Sequence, residues 1–221
     1  MALDILTSYY SRRAPEYEEI YHRSDPIRQG EQQAIASEVR RLVQDRHVLE
    51  IACGTGYWTQ FAAETATHVC GIDSSPEMLA LARAKDLPEY RVEFHQADAY
   101  DLRSVAGDFD ACVAMFWFSH IARSRMEAFL NQLHHRLSPN SVVFMADNIF
   151  VPGLGGELVR PEGSADTYKI RTLADGSTER VLKNYFSQTE LQQIFQPHGR
   201  DLQITIGKCF WWLNYRVASE S

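Results

Sequence analysis

The chain has 221 residues, 45% of them hydrophobic and 23% charged, a composition that supports one folded domain of ordinary size and excludes disordered or collagen-like chains. Its 29 acidic residues against 22 basic ones leave a formal charge of −7, which argues against a protein whose main work is gripping nucleic-acid backbones. No stretch approaches the ~18 apolar residues of a membrane span, the N-terminus has no signal pattern, and Cys53, Cys70, Cys112 and Cys209 form no CxxC pair. The expectation is a cytoplasmic protein with reduced thiols and neither membrane nor nucleic-acid partners.

Residues 2–45 hold two helical patterns broken near Asp25-Pro26, the first dense in tyrosine: Tyr9, Tyr10, Tyr17 and Tyr21. Apolar runs at 47–52, 67–73, 90–96, 109–115 and 141–147 then predict strands, with helix-like stretches at 56–65, 75–85 and 122–137 between them. Strands alternating with helices predict an α/β fold whose parallel sheet is covered on both faces. Ser75-Pro76-Glu77 opens one helix with a cap and a proline at its first position, and Ser138-Pro139-Asn140 is expected to stop another. Beyond 148, Gly153, Gly155 and Gly156 mark a loop, and YKIRTL and RVLKNYF flank Ala174-Asp175-Gly176-Ser177 as a β-hairpin insertion. A helix follows with Ser187 and Glu190 at capping-box spacing, then two strand-like runs, DLQITIG and FWWLNYRV.

The most informative stretch is Glu50-Ile51-Ala52-Cys53-Gly54-Thr55-Gly56, where a buried strand runs into a glycine turn and a helix. Glycines there let a ligand approach the backbone. A dinucleotide fingerprint would need glycine where Thr59 stands, and a P-loop would need a following Gly-Lys-Ser/Thr, which is missing. Asp73 closes the second strand, where a carboxylate can accept two hydrogen bonds from a ribose diol, and Asp98 follows the third, where it can accept from an adenine amino group. Acidic groups without a phosphate grip suit a cationic nucleoside better than a dinucleotide.

This ordered set resembles the class I S-adenosylmethionine (SAM)-dependent methyltransferases of small-molecule type. Glu50 to Gly56 is similar to their first motif, Gly71 to Leu79 to their second, Ala97-Asp98-Ala99 to their adenine contact, and Phe109 to Phe116 to their fourth strand and its exit. The resemblance implies a doubly wound, Rossmann-like, mostly parallel seven-stranded sheet with an antiparallel last strand inserted beside the fifth. It implies one domain over 1–221: a helical lid (1–45), a SAM-binding core (46–147) and a substrate-side insertion with C-terminal strands (148–221). The cofactor contacts it implies are Tyr17, Glu50, Ala52, Cys53, Gly54, Gly56, Trp58, Asp73, Ser74, Met78, Asp98, Ala99, Met115 and Phe116.

Candidates to line the acceptor pocket are Tyr10, Trp117, His120, Asn148, Tyr168, Asn184, Tyr185 and Trp212, a set whose aromatic density suits a small planar or aromatic acceptor. Tyr10 and His120 are the catalytic candidates, His120 either as proton acceptor or, equally, as a helix cap. Asp147-Asn148 looks like the magnesium-binding pair of catechol-type O-methyltransferases, but Met115 and Phe118 stand where those enzymes need an aspartate and a lysine, so no metal is expected. His134 and His135, adjacent on a helix, are expected on the surface. A magnesium-dependent enzyme and a non-catalytic SAM-binding protein remain the alternatives.

Overall fold

The computed structural model describes residues 14–172 and 176–218; Tyr10 lies outside them. Asp25 accepts the backbone N–H groups of Ile27 (3.0 Å) and Arg28 (3.2 Å) and Pro26 needs no donor, so the helix Pro26–Val43 starts where the sequence pattern breaks. Five strands follow, β1 (His47–Ile51), β2 (His68–Asp73), β3 (Val92–Gln96), β4 (Phe109–Met115) and β5 (Leu137–Asn148), and the chain closes with β9 (Gly199–Ile206) and β10 (Phe210–Val217). They form one seven-stranded sheet in the order β3-β2-β1-β4-β5-β10-β9. The first five run parallel, and β10 pairs antiparallel with β5 and β9, so the last strand is inserted beside the fifth as expected.

The strand order reverses at β1, which has β2 on one side and β4 on the other. Loops leaving the carboxyl ends of those two strands turn in opposite directions and open a crevice between them. Alternation along the strands feeds two apolar layers. Leu49, Ile51, Cys112 and Ala114 face a layer with Phe118, Leu130 and Trp211; Val48, Ala111 and Val113 face one with Ile35, Val39 and Trp58.

The region expected as a helical lid therefore divides. Helix Pro26–Val43 is a core layer, with Ile35, Val39 and Val43 buried on the sheet. In the preceding 3-10 turn, Ala14–Tyr21, Tyr21 is buried and stacks on Tyr57 with ring centroids 3.9 Å apart. Two boundaries also move. Helix Met126–Arg136 passes directly into β5 because Leu137 already pairs with Phe109, ahead of a register shift, so Ser138-Pro139-Asn140 begins a strand. The expected helix at 56–65 shortens to Thr59–Ala63, since the glycine turn occupies its first residues.

The insertion is a separate three-stranded sheet: β7 (Tyr168–Thr172) and β8 (Thr178–Leu182) form the expected hairpin, and a short β6 (Leu158–Val159) adds to the β7 edge. Ser187 and Glu190 complete their capping box at the start of helix Gln188–Phe195.

Candidate active site

A cleft lies at the carboxyl ends of β1 to β4. Ala52 and Gly54 enter it from the loop after β1; Asp73, Ser74, Ser75 and Met78 from the β2 end; Asp98 and Ala99 from the β3 end; Met115, Phe116, Trp117 and His120 from the β4 end. Tyr17 covers one side. Ile72 and Ala97 also line it; like Ser75 they lie within the motifs read in the sequence but were not named as contacts, since two apolar residues and a helix cap offer little polar chemistry of their own.

Asp73 is the organising carboxylate. Its Oδ2 accepts the Gly54 N–H (2.9 Å) and its Oδ1 the Ser75 N–H (2.9 Å), tying the glycine loop to the next helix. Burial pushes Asp73 up from the ordinary carboxylate range, against the pull of those backbone donors. The loop itself needs left-handed backbone: Gly56 sits at φ 75°, and a Cβ there would meet Ala82 Cβ at 3.2 Å. Ala52 takes φ 51° and Phe116 φ 59°, conformations that cost a side-chain-bearing residue roughly 1–2 kcal/mol, and both flank the cleft.

Four expected cofactor contacts stand behind the cleft rather than on it. Cys53 and Gly56 build the turn, Trp58 is buried among Tyr21, Phe61 and Phe116, and Glu50 is buried on the layer below. Thr59, where a dinucleotide site would have glycine, donates to Glu50 at 2.6 Å. That pair explains the threonine: it satisfies a carboxyl that nothing else among the described residues reaches. Burial, only partly offset by Thr59 and reinforced by Asp73, pushes Glu50 up to about 8.

The sign of its effect on stability follows. The folded state holds this proton between about pH 4.5 and 8 while the unfolded chain does not, so the Glu50 contribution is complete below pH 4.5 and is lost as pH rises to about 8. Glu50→Gln is expected to flatten the fall in stability over that window, by up to about 1.4 kcal/mol per pH unit. Asp73 shifts in the same direction and leaves a residual slope. Urea melts at both ends of the window decide it; equal slopes in variant and wild type would mean that Glu50 is ionised in the fold.

At the β4 end, His120 closes the 3-10 turn Phe118–His120, and its Nδ1 lies 2.7 Å from the carbonyl oxygen of Leu182 on β8. A carbonyl only accepts, so Nδ1 carries the hydrogen and Nε2 the lone pair. Burial first, then the charge of Lys183, lower His120 to about 3. The ring is thus a strut between the sheet and the insertion that also lines the cleft; the helix that follows has Arg125 at its N-cap, so the expected cap role is not the one His120 plays.

Beside it lies a group in which Lys183 carried no signal in the sequence. Lys183 Nζ donates to Asp147 Oδ1 (2.9 Å) and to Ser119 Oγ (2.6 Å), while Asp147 Oδ2 accepts the Ser119 N–H (2.9 Å); the Lys183 and Asp147 side chains are 5% and 0% exposed. Asn148 donates its backbone N–H to Asp147 as well (2.7 Å). Asp147 therefore faces an ammonium, and its lone pairs are already taken up by N–H donors that a divalent cation would have to displace. Three metal-ligand side chains do meet elsewhere, Cys70, Glu93 and His95 on β2 and β3, but burial holds the Cys70 thiol up to about 12, protonated at neutral pH.

Of the expected acceptor residues, Trp117 and His120 line the cleft; Asn148, Tyr168, Asn184, Tyr185 and Trp212 do not. Asn184 is spent structurally, bridging Thr167 N, Asp166 and the Ile121 carbonyl. Trp212 lies on β10 and packs against the layer of helix Pro26–Val43. Tyr168 carries the Arg180 guanidinium over its ring at 4.1 Å, and Tyr185 packs edge-on against Phe150. His134 is not a surface residue: its Nε2 lies 2.7 Å from the buried Tyr215 hydroxyl, and burial lowers it to about 4.

Comparison with known proteins agrees with this geometry. Residues 48–140 match the methyltransferase domain family. An O-methyltransferase, cnsE of Penicillium expansum, is 31% identical over 134 residues, covering 56% of this chain and 48% of its own. The chain spans about half the length of the curated relatives it matches. Among solved structures, the DhpI–SAH complex superposes with a TM-score of 0.80 at 26% identity over 99% of this chain and 98% of that one, and the DhpI–SAM–HEP complex with 0.73 over 96% of each. Residues 48–140 thus match a methyltransferase domain, and over nearly its whole length the chain has the fold of the SAH- and SAM-bound DhpI structures, as expected for a class I SAM-dependent methyltransferase.

Proposed function

We propose that this protein transfers a methyl group from SAM to a small molecule held between the cleft and the insertion sheet. The observation that carries this is the convergence of Gly54, Asp73, Asp98 and Phe116, from four successive strand ends, on a single cleft. The donor set fits the cofactor: a half-buried carboxylate for a ribose diol, exposed backbone at a glycine, a second carboxylate at the β3 end, and aromatic faces for a cation. Asp73 would hold the diol, Asp98 and Ala99 the adenine, Met78 and Ser74 the nucleoside flank, and Tyr17 and Phe116 the methionyl side.

Bound SAM supplies an electrophilic methyl on a sulfonium, and its transfer is an in-line displacement that needs no protein nucleophile. What the chain contributes is alignment and exclusion of water, worth up to about 7–11 kcal/mol in favourable cases. Trp117 and Phe116 wall the region where acceptor and methyl meet, and a planar acceptor body would stack there. His120, neutral, orients through its ring rather than removing a proton.

Calorimetry with SAM and its demethylated product, combined with methyl-labelled SAM and a panel of small hydroxyl, amine and thiol acceptors, tests the proposal. Binding with label transfer is the expected result. Tight binding with no transfer to any member of the panel would identify a SAM-binding protein without turnover.

A further inference from the structure

The face of the insertion sheet that docks on the end of β5 is cationic. Lys169 and Arg171 alternate on β7, and Val181, which pairs with Lys169, shares that face with Lys183 two residues on. Lys183 is driven down onto Asp147 and Ser119 at the end of β5, which fixes the direction in which the face points. Lys169, 1% exposed, donates to the carbonyls of Leu154 (3.1 Å) and Gly156 (2.8 Å) and lies over the Phe150 ring at 5.1 Å. Among the described residues its charge meets only carbonyl dipoles and two rings, Phe150 and, at 5.9 Å, Tyr185.

Arg171 is the exception in what it lacks. Among the described residues it forms no ion pair and donates no hydrogen bond, although it is only half-exposed. Its guanidinium rests on the glycine loop, with Nη1 only 2.5 Å from where a Cβ on Gly155 would sit, so glycine at φ 75° leaves the room it occupies. Its charge reaches His120, which lines the cleft, and also Lys183, Lys169 and Tyr185. Glu179 stands opposite it across the β7–β8 ladder and has interactions of its own. Three cations thus lie on the part of the insertion that docks beside His120, which does line the cleft, and the buried carboxylate among them, Asp147, is committed to one.

We propose that the methyl acceptor is a small acid whose carboxylate or phosphoryl oxyanion is gripped by Arg171, within the field of Lys169 and Lys183. The proposal rests on the methyl-transfer reading only for the word acceptor; the anion site stands on the geometry of the insertion. A guanidinium presents two parallel N–H groups to two oxygens of either head group, and neighbouring cations with a shortage of counter-charge favour the anion's arrival. A planar or aromatic body remains compatible, since Trp117 would carry the body and Arg171 the head.

Anion binding can be measured without knowing the substrate. The full chain, saturated with the demethylated cofactor, is titrated with inorganic phosphate and separately with acetate, following tryptophan fluorescence at fixed ionic strength. The expected result is saturable binding of at least one anion, weakened about 10- to 100-fold in Arg171→Gln and partly kept in Arg171→Lys, with cofactor affinity unchanged in both. The stronger of the two anions distinguishes a phosphoryl from a carboxylate head. No saturable response, or equal affinity in wild type and Arg171→Gln, would overturn the anion site. Arg171-dependent anion binding with methyl transfer only to uncharged acceptors would overturn the acid acceptor and leave the methyl-transfer reading standing; no transfer to any acceptor, charged or not, would overturn that reading instead.

Discussion

Replacing Asp73 by alanine is expected to weaken binding of SAM and of its demethylated product by about thirtyfold to a thousandfold, the equivalent of ~2–4 kcal/mol. Two losses combine. The ribose diol loses a carboxylate that accepts charge-assisted hydrogen bonds, and the Gly54 and Ser75 N–H groups lose the oxygens that lock the glycine loop against the next helix. The second loss matters because Gly54 sits at φ 57° and follows Ala52 at φ 51°, so the loop holds its shape only while something outside it supplies partners. Asp73→Asn keeps one acceptor oxygen and should fall between wild type and alanine. Calorimetry on the three proteins, with circular dichroism to show that each is folded, measures the effect; an alanine variant that binds like wild type would remove Asp73 from the cofactor site.

The parts of this site that were legible in the sequence are those set by short stretches of backbone. A strand ending in Gly54 and Gly56, a strand ending in Asp73, and Asp98 just after a third strand define where chemistry must gather, because in a parallel sheet all carboxyl ends open on one side. What was illegible depends on contacts between distant segments. Lys183 reads as one more polar residue in RVLKNYF, and only the docking of β8 against the end of β5 reveals that it faces Asp147, 36 residues away. The same docking holds the His120 ring against the Leu182 carbonyl and consumes Asn184 as a brace for Thr167 and Ile121. His134 was misjudged because a single helix turn says nothing about Tyr215, which reaches it from 81 residues further along the chain. Glu50, by contrast, holds its place in the motif, but alternation puts it on the same face as Val48, buried beneath the loop rather than on the cleft lining.

The largest expected effect on stability comes from the pair that the sequence did not announce. Lys183→Met is expected to destabilise the protein by about 3–5 kcal/mol, since it leaves the Asp147 carboxylate fully buried without a counter-charge. Burial alone would raise Asp147, but the Lys183 ammonium, together with the hydrogen bonds from Lys183 and Ser119, outweighs it and holds the carboxyl below its ordinary range. The pair's contribution is therefore present above about pH 4 and is lost as pH falls through the depressed folded value. The double variant Asp147→Leu with Lys183→Met should recover most of the single-variant loss, because burial then costs no unpaired charge, giving a coupling of about 2 kcal/mol or more in a urea-melt cycle. Removing Lys183 also removes the second cause of the low His120 value, so the His120 imidazole should titrate higher in Lys183→Met by NMR. Single variants that each cost under about 1 kcal/mol, the range of exposed ion pairs, would show that water reaches this pair and that the insertion sheet does not seal the end of β5.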